Sequence, residues 1–217
     1  MRFLAVGIFH GTIQYTRFCV DGDLPSDWMG IFEASLKLRR FVPLHEDGND
    51  VESQGFVLAQ APFADDCELL NTHFYFDGRL VLAFRRDTIR LPKAYMKELV
   101  KKRIEEQKVK LGEEPSRKTC KAIEEAVIYE VRRRVFPKSQ IVDLCWDFQK
   151  NELRLFGRGK SLIENFTKLF EQTFPMKLRQ KTFAEQAMGI DLPLRSKGQL
   201  ESLVPQELYQ PIYRTEV

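Results

Sequence analysis

The sequence predicts an α+β fold: an antiparallel, hairpin-rich sheet packed with helices and joined to a long basic helical pair. Three observations carry this. Two runs rich in β-branched and aromatic residues fold back around Asp77-Gly78 and around Gln149-Lys150-Asn151. Each hairpin runs into a helical periodicity, and the charged stretch between the hairpins holds two such periodicities in all. Of the 217 residues, 43% are hydrophobic, with 12 Gly and 10 Pro, so a core is available without low-complexity bias.

In chain order, Met1 to Phe9 and Ile13 to Phe18 read as one or two half-buried strands; no small-residue cleavage pattern marks the first as a signal peptide. Pro25-Ser26-Asp27 opens a helix carrying Trp28, Ile31, Phe32, Leu36 and Leu38, with Ser26 or Asp27 suited to cap it. Residues 43–55 are polar and acidic, hence a loop, and Gly55 to Ala59 form a strand. Thr72 to Phe84 make the first hairpin. Leu91-Pro92 starts a helix to about Leu111, Gly112 to Ser116 break it, and a second helix runs to about Arg134, before Pro137. Ile141 to Phe156 give the second hairpin. A helix from Ser161 to about Phe174 and a strand over 176–181 follow. The expected organisation is a folded domain over 1–181, including the basic pair at 85–138, and a Pro-containing tail over 182–217.

No stretch reaches the roughly 18 apolar residues of a spanning helix, so no membrane segment is expected. Cys19, Cys67, Cys120 and Cys145 lie far apart, as expected of reduced cysteines in a cytoplasmic protein. The net charge of +3 hides an asymmetry. Residues 1–84 hold 6 Lys/Arg against 12 Asp/Glu, whereas residues 85–138 hold 17 against 9. Such a division suits a surface that docks on a polyanion; the alternative is a solvated helix pair kept soluble by its charges.

On a helical wheel at about 100° per residue, Lys93, Lys97, Lys101 and Lys108 fall within about 80° of one another, beside Tyr95, Met96, Leu99, Val100 and Ile104. In the second helix Lys118, Lys121 and Arg132 fall within about 60°, opposite Cys120, Ile123, Val127, Val131 and Val135, with Arg133 and Arg134 nearby. Lysine and arginine without accompanying Asn or Gln match phosphate neutralisation rather than base reading. Glu98, Glu105, Glu106, Glu124 and Glu125 dilute the patch and offer i,i+4 partners instead.

Other constellations are weaker. Gly157 to Ser161 ends like a phosphate-binding loop, but the glycine required five positions before Gly159 is Arg154. Ser161 is better read as a helix cap, with Arg158 and Lys160 as weak anion contacts. Glu106-Gln107-Lys108 matches the tail of a nuclease pattern yet lacks a preceding strand carboxylate, and Asp65, Asp66, Asp143 and Asp147 are scattered. His10, His45 and His73 lack metal-ligand spacing. No catalytic residue, metal or cofactor is expected.

The order Thr72-His73, Gly78, Val81, Arg85, Leu91-Pro92, a charged helix pair, Phe136, Ser139-Gln140, Trp146 in a hairpin and a helix ending at Phe174-Pro175 resembles the recombination-associated protein RdgC family over residues 1–181. The resemblance implies horseshoe-like α+β subunits that pair around duplex DNA, bind it with little sequence preference and restrain recombinase activity in the bacterial cytoplasm and nucleoid. It implies DNA contacts at Lys93, Lys97, Lys101, Lys108, Lys118, Lys121, Arg132, Arg133 and Arg134, and a subunit contact near Phe136. Family members continue past the position of Lys181 with a further folded segment, so a homodimer joined at one contact, or an open clamp, is expected here. The expected partners are double-stranded DNA, a second copy and, functionally, a recombinase. The rivals are a metal-dependent nuclease and an interaction scaffold using the helical pair.

Overall fold

The computed structural model describes residues 14–45, 50–64 and 68–182, with isolated positions 8, 48, 185, 186 and 198. The readings at Met1 to Phe9 (apart from Ile8), at His10 and Ile13, at Asp65, Asp66 and Cys67, and over nearly all of the tail lie outside those residues. The chain divides into two compact units, Met1–Leu178 and Arg179–Val217.

The first unit is built on an antiparallel sheet. Its strands are β1 (Thr16–Asp21), β2 (Glu52–Val57), β3 (Tyr75–Phe76), β4 (Arg79–Thr88), β5 (Lys138–Asp147) and β6 (Glu152–Leu155). The order β2-β4-β5-β6-β1 puts β4, β5 and β6 inside the sheet, with β3 paired to β4. β7 (Lys177–Gln180) follows β1 at the edge. Period-two alternation turns Leu80, Leu82 and Phe84 of β4, Val142, Leu144 and Trp146 of β5, and Leu153 and Leu155 of β6 to one face. Helices α1 (Trp28–Leu38) and α5 (Lys160–Thr173) supply the other half of that core. Leu162, Phe166, Leu169 and Phe170 of α5 recur at helical spacing, and Phe32 and Leu36 of α1 are fully buried. Phe32 stacks on Trp146 with centroids 5.6 Å apart and meets Phe174 edge-on at 4.7 Å. The expected α+β fold with its hairpin-rich sheet is the observed one.

Several local expectations are corrected. Asp27 occupies the N-cap position of α1 but makes no side-chain cap bond. The loop expected over 43–55 ends at Glu52, where β2 begins opposite Thr88. Thr72-His73-Phe74 is a single helical turn, α2 (Asn71–Phe74), because the His73 amide donates to Leu70 O at 2.9 Å and Phe74 is swallowed by the core. The hairpin therefore keeps only two residues on its first strand, around Asp77 (φ 46°) and Gly78 (φ 76°). The first residue of α5 is Lys160, with Gly159 (φ 121°) at its cap. Ser161, one position inside, accepts from Asn165 Nδ2 rather than capping the helix.

Candidate nucleic-acid interface

The two long helices, α3 (Lys93–Leu111) and α4 (Arg117–Arg132), form one excursion between neighbouring strands. β4 and β5 pair without interruption from Arg79–Asp147 to Thr88–Lys138, so the chain leaves and re-enters the sheet at one point. Pro92 precedes the first residue of α3. Gly112, left-handed at φ 73°, closes α3 by donating its amide to Lys108 O at 2.9 Å. Ser116 Oγ then accepts the Thr119 amide at 3.2 Å and starts α4.

The helices meet along one seam. Met96, Leu99, Val100, Ile104 and Gln107 are half-buried on α3, as are Cys120 and Ile123 on α4, and Val127 and Val131 are buried. Arg103 Nη2 meets Glu130 Oε2 at 3.0 Å and ties the two helices together. No residue of α3 is fully buried.

On one side of the seam lies an open groove of about 550 Å³ whose wall carries Lys93, Lys97, Lys101 and Lys108, the four lysines that the wheel groups together. Lys93, Lys97 and Lys101 are exposed, and among the described residues no carboxylate lies within 4.0 Å of them. Lys108 differs, because it is ion-paired with Glu114 beyond the turn. That hydrogen bond, reinforced by the lysine charge, holds the Glu114 carboxyl below its ordinary range. Glu105 and Glu124 also line the groove. With Arg103 bridged to Glu130, Glu124 sits toward the tip. The cationic excess is therefore concentrated at the base of the arm.

The remaining cations do not join this strip. Lys118 is exposed about half a turn away from the seam residue Val127. Lys121 lies 4.0 Å from Glu125, and Arg134 is 2.8 Å from Glu130. Arg133 is exposed with its guanidinium 5.7 Å from the Tyr129 ring centroid. Arg132 requires a correction. It is only 7% exposed, and its Nη2 donates to the backbone carbonyl of Asp50, so it anchors α4 to the chain entering β2 instead of facing outward. Phe136, just before β5, is 92% exposed.

Of the scattered acidic residues, Asp143 and Asp147 hold structure. Asp143 accepts the Ile8 amide at 2.9 Å, and Asp147 accepts the Lys150 amide at 3.1 Å and lies 3.4 Å from Arg79 Nε. Among the described residues no three His, Cys, Asp or Glu stand close enough to hold a metal ion. Burial pushes the Cys145 thiol up, away from thiolate reactivity. At the start of α5, Lys160 is 4.0 Å from Glu164. Among the described residues no helix is long and apolar enough to cross a membrane.

The family model described as "Putative exonuclease, RdgC" matches residues 22–189, a span that takes in nearly the whole sheet, α1, α5 and the entire arm. The chain belongs to the RdgC family. Membership implies a recombination-associated nucleoid protein, and despite that description the family is generally not one of nucleases. No curated protein matches the chain. In this RdgC-family chain, two features escaped the linear reading. Glu114 neutralises Lys108 across a turn, which the Gly112 cap brings about. The apolar floor of the groove stays open because α4 covers only part of the α3 seam. The first has a signal in the Gly112 break; the second has none in composition or periodicity.

Proposed function

We propose that this RdgC-family chain binds duplex DNA without sequence preference through the lysine face of its arm, acts as a homodimer, and so restrains recombinase access to DNA in the nucleoid. The observation that carries the reading is the line Lys93-Lys97-Lys101, exposed and, among the described residues, free of carboxylate partners on one side of α3. Eight residues at 1.5 Å each span about 12 Å, the axial length over which a duplex presents about seven phosphate charges. Ammonium groups at that spacing neutralise phosphates and release counterions, which favours every sequence alike. Lys118, Lys121 and Arg133 extend the field as exposed charges outside the strip. Arg134 adds less while Glu130 holds it, and Arg132 takes no part. Phe136, apolar and almost fully exposed beside the arm, is the proposed subunit contact.

The reading is tested by anisotropy titration of the full chain with two labelled duplexes of unrelated sequence. Dissociation constants equal within about threefold, both weakening steeply with salt, are expected. Salt-independent binding, or none at physiological salt, overturns it. The same duplexes incubated with magnesium or manganese should stay intact; progressive shortening would establish the nuclease reading instead.

A further inference from the structure

Phosphate binding leaves one property of the α3/α4 groove unused, namely its apolar floor. Met96, Val100 and Ile104, at i, i+4 and i+8, line it and remain half-exposed between the helices. A 19-residue helix with no buried residue has an unfilled contact face, since helices draw most of their stability from packing. The groove's volume of about 550 Å³ falls within the range of specific ligand sites. A nucleic-acid backbone brings no apolar group to fill it.

We propose that this groove receives an acidic amphipathic helix of a partner protein, which lies between α3 and α4 as a third helix. Leucine-like residues at i, i+3, i+4 and i+7 would cover Met96, Val100 and Ile104, and flanking Asp or Glu would meet Lys93, Lys97 and Lys101. Lys93, Lys97 and Lys101, with no carboxylate within 4.0 Å among the described residues, outnumber Glu105 and Glu124, the lining carboxylates left over by the Lys108–Glu114 pair, and so set the occupant's charge. They also disfavour the arm of a second copy, which would bring the same lysines against them. Because DNA and this helix share the lysine rim, they compete, and the partner would release the protein from duplex. The proposal goes beyond the DNA reading and stands or falls separately from it.

The probe is a labelled synthetic peptide of about 18 residues, about 27 Å as a helix, with Leu on one face and Glu elsewhere. Its control has the same composition with the leucines scrambled. Anisotropy with the full chain at neutral pH should give saturable binding, weakened at least about tenfold by scrambling, and unlabelled duplex should displace the peptide. Val100→Ser/Ile104→Ser should weaken peptide binding by about tenfold or more and leave duplex affinity within about twofold. Lys97→Glu/Lys101→Glu, which alters only exposed side chains, should abolish peptide binding and decides the matter if the double serine variant loses helicity by circular dichroism. Absence of binding, equal binding of the scrambled peptide, or full binding by Lys97→Glu/Lys101→Glu overturns the proposal. Duplex binding without peptide binding sinks this inference alone; peptide binding without duplex binding sinks the DNA reading alone.

Discussion

Replacing Lys93, Lys97 and Lys101 together with alanine tests the electrostatic reading at its centre. Alanine is the best helix former, and all three side chains are exposed, so α3 should be unharmed. Each phosphate contact contributes about 0.9 to the slope of log affinity against log salt, so losing three should flatten it by about 2.7. Between 50 and 200 mM salt, about 0.6 log units, three such contacts account for about 1.6 log units, or about a fortyfold change in affinity, that the variant would no longer show. Gel-shift or anisotropy titrations at four salt concentrations measure both quantities. Lys168→Ala, on the exposed side of α5, is the control and should leave the slope unchanged. A triple variant whose slope stays within about 0.5 of the parent would show that these ammonium groups touch no phosphate, whatever the affinity.

Glu114→Gln should release Lys108 and steepen the same slope by up to about 0.9. The pH dependence has the same origin: the lowered Glu114 value makes the Lys108 pair complete above the ordinary carboxylate range and loses it as pH falls through the lowered value, so the variant mimics strong acid at neutral pH. Arg132→Ala should lower the free energy of urea unfolding by about 2 kcal/mol, because a charged donor to Asp50 O is lost, while the salt slope stays unchanged. A flattened slope in that variant would restore Arg132 as a DNA contact. Gly55→Ala should cost about 3 kcal/mol or abolish folding, since the new Cβ would lie 2.3 Å from Phe41 N and 2.4 Å from Phe41 Cα. A thermal melt within a few degrees of the parent would refute that crossing of chains.

Elements governed by local chemistry were legible in the sequence. Asp77-Gly78 turns the first hairpin, Pro92 and Gly112 bound α3, and the Leu162/Phe166/Leu169/Phe170 periodicity marks the core face of α5. The α3 lysines also group on the structure as they do on the wheel, because one straight helix preserves angular spacing. What escaped was decided at long range. Arg132 belongs with Lys118 and Lys121 by angle, but Asp50 arrives from 82 positions away and buries it. Gly55 reads as loop punctuation, whereas its real constraint is the backbone of residues 39–41 running against β2, with Phe41 N donating to Phe56 O at 3.0 Å. Thr72-His73-Phe74 has strand-forming residues yet coils for one turn because the core claims Phe74.

The β4–β5 ladder closes at Thr88 opposite Lys138, and everything between those residues is one insertion at its end, tied beside it by Ile89 N to Val51 O at 2.8 Å and by Arg132 to Asp50 O. Strand register is set below that closing rung by nine further facing pairs, none supplied by the helices. Evolution can therefore lengthen, shorten or recharge the appendage without re-registering the platform beneath it. Sequence drift among relatives should accumulate in residues 89–137 faster than in the ladder, and a chimaera that exchanges this insert between relatives is the natural way to transplant binding behaviour.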